Sequence, residues 1–98
     1  MQPYQVYVNY MLSVYFAPDS DQKELSAVEM ENCAVCDRTL RKMSDEDRTV
    51  IKAVFSREKA GVAHGVEDYA EKTGTALKDV WRAIRTVSKE IAREKKLI

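Results

Sequence analysis

The sequence predicts an all-α fold: a small helical domain of about five helices, ending in a helix-turn-helix with a long C-terminal helix. Three observations carry this. Apolar side chains recur at steps of three and four along most of the chain. Three glycines and two prolines in 98 residues leave too few breaks for the turn-rich strands of a sandwich or barrel. The balance of 45% hydrophobic and 33% charged residues is that of a folded chain, and its length suits one core.

Pro3 suits the first turn of a helix. Tyr4, Tyr7, Tyr10, Met11, Val14 and Tyr15 follow at helical intervals and mark one face. Val6-Tyr7-Val8 also alternates as a strand does, with residue types that favour strands, so both conformations stand for residues 1–16. The tyrosines suit a core or dimer stripe with hydroxyls at its edge better than they suit base stacking.

Ala17-Pro18-Asp19-Ser20 breaks the chain. Asp19 or Ser20 is the expected cap of a second helix over about residues 21–42, with acids in its first turn and Arg38, Arg41 and Lys42 near its end. Its expected buried stripe is Leu25, Val28 or Glu29, Cys33, Cys36, Leu40 and Met43. Cys33-x-x-Cys36 reads chiefly as two small apolar residues of that stripe. Half a zinc site and a redox pair are the other readings. The first lacks a second ligand pair, because His64 is the only histidine; the second lacks a strand-helix setting.

Ser44-Asp45-Glu46-Asp47 has the pattern of a cap followed by acids. It opens a third helix with Val50, Ile51, Val54 and Phe55 on the buried side. Residues 55–65 are less periodic, and Gly61 and Gly65 suggest a loop there, with His64 a loop residue of no catalytic role. A short helix over residues 66–73 stops at Gly74. The last helix runs from Ala76 to about Lys96, with Leu77, Val80, Ala83, Ile84, Val87 and Ile91 as its apolar line. At ~1.5 Å per residue it is roughly 30 Å long.

Charge is split along the chain. Residues 1–49 hold five basic and nine acidic side chains, and residues 50–98 hold eleven and seven, so a formal net charge of zero hides two opposed halves. Fields act over a Debye length of ~8–10 Å, so a partner meets the halves and not the sum. The organisation expected is one domain over 1–98: residues 1–43 form N-terminal helices suited to oligomerisation, and 44–98 form a DNA-binding part.

That part is read from Val66 to Arg85 as a unit. Two crossing helices need a tiny side chain where they approach, which Ala70 supplies. The turn needs a residue that accepts positive φ, which Gly74 supplies. The second helix must return an apolar group to the corner, and Val80 does so; Thr75 is its expected cap. The opposite face carries Lys78, Arg82, Arg85 and Lys89 at steps of four, three and four, with Trp81 beside them. Ala76, Leu77 and Lys78, at the helix start, would reach deepest into a major groove. The DNA-binding set expected is therefore Ala76, Leu77, Lys78, Trp81, Arg82, Arg85 and Lys89. Trp81 also suits the edge of the core.

Ser44-Asp45-Glu46-Asp47-Arg48, Val50-Ile51, Val54-Phe55, Asp68-Tyr69-Ala70, Gly74 and Val80-Trp81-Arg82 together resemble region 4 of sigma-70-type factors. The likeness is nearer to the small sigma-like regulators of phages and mobile elements, the ArpU and RinA kind, and covers about residues 31–98. It implies promoter or operator DNA binding and contact with RNA polymerase. Ala76, Asp79 and the length of the link from Phe55 to Tyr69 depart from the pattern.

The expected function is that of a sequence-specific DNA-binding transcriptional regulator of phage or mobile-element type, with double-stranded DNA as partner. Such modules commonly pair across two half-sites, so a homodimer is a further expectation. The alternative is a helical interaction or phage assembly factor that uses the same hairpin on protein. An enzyme is not expected: the chain offers no nucleophile–histidine–acid set and no glycine-rich phosphate loop. No cofactor is expected. No run of 18 apolar residues exists for a membrane span, and the N-terminus lacks a basic leader and cleavage pattern, so the expected compartment is the cytoplasm.

Overall fold

The structure, a computed structural model, describes residues 3–17, 24–56 and 61–98. Among these are five helices and no strand: α1 (Gln5–Tyr15), α2 (Ala27–Arg41), α3 (Asp45–Phe55), α4 (Val62–Thr73) and α5 (Leu77–Glu94). The chain is therefore all-α. One core draws residues from all five helices, and α5 packs against each of the other four. None of the described helices is long and apolar enough to cross a membrane.

The first segment is a helix and not a strand. Val8, Met11 and Leu12, spaced i, i+3 and i+4, are fully buried. The buried stripe is rotated away from the tyrosines that mark the face in the sequence. Tyr4 and Tyr15 lie half-buried on the core. Tyr7 and Tyr10 lean outward and are tied to α2: Asn32 Nδ2 donates to the Tyr7 hydroxyl at 3.1 Å, and the Tyr10 hydroxyl donates to Glu29 at 3.0 Å. Aliphatic side chains take the interior because they bring no hydroxyl that must be satisfied there.

The second helix starts later than the sequence reading has it. Residues 24–26 are not helical, and the expected caps Asp19 and Ser20 lie outside the described residues. Ser26 is the N-cap. Its hydroxyl accepts from Glu29 N at 3.1 Å, and the Glu29 carboxylate accepts from Ser26 N at 3.1 Å, a reciprocal capping box. The buried face is Asn32, Val35, Cys36, Thr39 and Leu40, while Val28 is exposed. Asn32 and Thr39 are polar and so carry no weight in an apolar scan, yet they occupy the positions that face the neighbouring helices.

The third helix matches its reading. Ser44 caps it by accepting from Asp47 N at 3.2 Å, and Val50, Ile51, Val54 and Phe55 are buried. The fourth does not: it begins at Val62, four residues ahead of the expected start, and carries His64 exposed on its surface instead of in a loop. Gly65 is inside this helix and buried. A Cβ at Gly65 would stand 2.9 Å from the Val54 carbonyl oxygen, so glycine here lets α4 lie against the backbone of α3. The sequence signal is ambiguous because the same residue that breaks a helix also permits close packing.

Gly65→Ala separates the two roles. Helix propensity alone predicts a gain of about 1 kcal/mol. The contact with Val54 predicts a loss of about 1–3 kcal/mol, because backbone must move to admit the methyl group. Urea unfolding decides between them: a lower midpoint is expected, and a raised midpoint would show that α4 does not press on α3.

Candidate nucleic-acid interface

Residues 74–76 link α4 to α5. Gly74 is the C-cap of α4 at φ 73°, in the left-handed region, and its N–H donates to the Ala70 carbonyl at 2.9 Å. Val80 returns to the corner fully buried, with Ala83 one turn on, and Tyr69 and Ala70 pack half-buried against the core. Gly74 thus ends α4 in a left-handed turn, and Val80 closes the core behind it. Thr75 does not cap α5. The N-cap is Ala76, without a side-chain hydrogen bond, and the Thr75 hydroxyl lies 2.8 Å from that of Thr73. The two threonines brace the turn instead.

α5 divides cleanly. Val80, Ala83, Ile84, Val87, Ser88, Ile91 and Ala92 are buried. Ser88 is satisfied by Gln5 Nε2 of α1, which donates to its hydroxyl at 2.8 Å. On the far side Lys78, Arg82, Arg85 and Lys89 are all exposed. Arg93 stands four residues beyond Lys89, so the cationic row is one turn longer than the candidate set. Ala76 is exposed, and Leu77 is 50% exposed, which removes it from the expected core line and leaves it at the outer start of the helix. Trp81 lies half-buried against the core and reaches the outer face only at its edge.

The row is not evenly charged. Arg82 Nη2 is held by Asp79 Oδ1 at 3.0 Å, and Arg93 Nη1 by Glu90 Oε1 at 2.9 Å. Lys78, Arg85 and Lys89 have no ion-pair partner among the described residues. The two flanks differ as well. Beside Arg82, a notch of about 630 Å³ is edged by Asp45, Glu46 and Asp47 of α3 and by Asp79. Beside Arg85, a groove of about 690 Å³ is lined by Gln5, Asn9, Val62, Trp81 and Ile84, with no carboxylate among the described residues of its walls. Other ion pairs serve the fold: Arg38 and Glu94 meet at 2.8 Å and join α2 to the end of α5, and this contact holds the Glu94 carboxyl below its ordinary range.

The cysteines lie away from this face. Cys36 is in the core, as the apolar-stripe reading has it, and Cys33 is half-buried at its edge. No cluster of three or more metal-binding side chains exists among the described residues. No family model, no curated protein and no solved structure matches this chain. The resemblance to sigma region 4 therefore rests on the residues that carry it.

Burial pushes the Cys36 thiol from 9.0 up to about 12, with Cys33 adding to the effect. Burial, followed by the hydrogen bond to Asp37, pushes the Tyr15 hydroxyl from 10.0 up to about 12. Both groups are raised, so the stability they contribute is complete below the unfolded values and is lost as pH climbs toward the folded ones. Denaturant midpoints are expected to fall from about pH 9, where the unfolded thiol begins to ionise, and more steeply above 10. Cys36→Ala should flatten the first part of that decline, leaving the smaller share of Cys33, whose thiol burial also raises. An unchanged slope between pH 9 and 10 would contradict the burial of Cys36.

Proposed function

We propose that this protein is a sequence-specific DNA-binding regulator of transcription that lays α5 along the major groove. The observation that carries the reading is the exposed row Lys78, Arg82, Arg85 and Lys89 on the outer side of the helix that follows the Gly74 turn. Phosphate attraction would supply most of the affinity, and an arginine fork on a guanine edge would supply sequence choice. Ala76 and Leu77 would enter with Lys78, and Trp81 would stand at the border of the contact.

The likeness to sigma region 4 supports a promoter or operator as the target, with RNA polymerase as a second partner and a phage or mobile element as the source. The cytoplasm is the compartment such a role requires. α1 offers a place for a second copy: it holds no charged residue, and Val6 and Tyr10 are exposed on it. Pairing there would let two α5 helices address two half-sites. That same uncharged face is what favours the alternative, a helical interaction or assembly factor.

Mobility-shift titrations at several salt concentrations test the reading. Three unpaired cations predict a log-log slope of affinity on salt near −3, at about −0.9 per phosphate. Arg85→Ala should weaken binding by about 1–3 kcal/mol if it reaches a base. Binding that ignores salt and survives Arg85→Ala with Lys89→Ala would turn the assignment toward the protein-interaction alternative.

A further inference from the structure

Among the described residues, the cationic row meets carboxylates on one flank only, and this asymmetry has a use. We infer that Asp79 is a brake on nonspecific DNA binding: it withholds Arg82 from the phosphate backbone and, with Asp45, Glu46 and Asp47, turns the duplex toward the Arg85 flank. The inference rests on the DNA-binding reading of α5 and deepens it.

Asp79 Oδ1 lies 3.0 Å from Arg82 Nη2, and the two side chains are 46% and 68% exposed. A pair so open to water adds little to the stability of the fold. Asp79 also suits the first turn of α5, where the helix dipole favours an acid, but that role asks nothing of Arg82. What the pair does change is the surface offered to a polyanion. One cation of the row is neutralised, and the remaining N–H groups of its guanidinium stay free for a base edge.

The three acids at the start of α3 border the same notch as Asp79 and Arg82; Asp45 is paired with Arg48, so Glu46 and Asp47 carry most of the field there. Asp45, Glu46 and Asp47 line one cavity with Arg82, and charges that share a cavity act on one another over the Debye length of ~8–10 Å. A phosphate approaching Arg82 from that side meets like charge. A phosphate approaching Arg85 meets no carboxylate among the described residues that wall the groove on its side. Repulsion of this kind lowers affinity for every sequence alike, so occupancy of nonspecific DNA at a given concentration falls while base contacts alone set the ratio between sequences.

The test compares the wild type, Asp79→Asn, Arg82→Ala, the double variant and Arg85→Ala on a mixed-sequence duplex across a salt series. Thermal melts verify that each variant folds. Asp79→Asn should bind about five- to tenfold tighter near 0.1 M salt, with the slope steeper by about 0.9, as one phosphate contact is gained. Arg82→Ala should cancel the gain in the Asp79→Asn background. Arg85→Ala should cost the wild type more than Arg82→Ala does. An Asp79→Asn protein within about twofold of wild type and of unchanged slope would overturn the brake, as would equal losses from the two arginine variants. If the wild type binds no duplex while Asp79→Asn does, the brake stands in a stronger form; if neither binds, the DNA-binding reading falls and the brake with it.

Discussion

The burial of Val80, Ile84, Val87 and Ile91 along one side of α5 is the contact around which the other four helices are arranged. A helix of 18 residues that touches every other element can be wetted on only one strip. Apolar side chains at steps of three and four fix which strip is hidden, and the cations fall on the remainder. The hydrophobic effect thus sets the direction in which Lys78, Arg85 and Lys89 point, and whatever meets them must approach from outside the bundle. Gln5 of α1, bonded to Ser88, covers the buried side and leaves the outer side untouched.

The charge split along the chain takes a spatial form that a running sum does not convey. Part of it is spent inside the fold: Arg38 with Glu94 and Lys95 with Glu31 tie α2 to the end of α5, at 2.8 and 3.8 Å. Part of it stays at the interface, where the acids of α3 border one flank of the cationic row. Sequence arithmetic reads the acidic half and the basic half as separate regions. Folding brings the first turn of α3 beside the middle of α5, so the two signs become neighbours across a notch.

Much of the fold is legible in the sequence because the strongest signals there are periodic. The apolar line of α5 from Val80 onward, the Ser44 cap with its three acids, and the stop at Gly74 each depend on local chemistry, and each is where the residues put it. Two of the misplacements share a cause: tertiary contact decides what a local pattern leaves open. Gly65 serves packing against Val54 and not a turn. Asn32 and Thr39 are buried although polar, so the hidden face of α2 is rotated from its apolar line. Ser26-Ala27-Val28-Glu29 has the spacing of a capping box, and that signal was available to place the start of α2. In the candidate site, the outward row follows from spacing alone, as does the Asp79–Arg82 step of three. The acidic notch does not, since it needs α3 and α5 side by side. Thr75 loses the cap position because its hydroxyl pairs with Thr73.

On the proposed reading, a duplex grips the outer side of α5. Amide chemical shifts followed by NMR during titration with a DNA duplex address it residue by residue. The largest changes are expected between Ala76 and Lys89 and at the start of α4, while α2 and the outer face of α1 stay still. Shifts centred on Val6, Tyr10 and α2, with α5 unmoved, would contradict it.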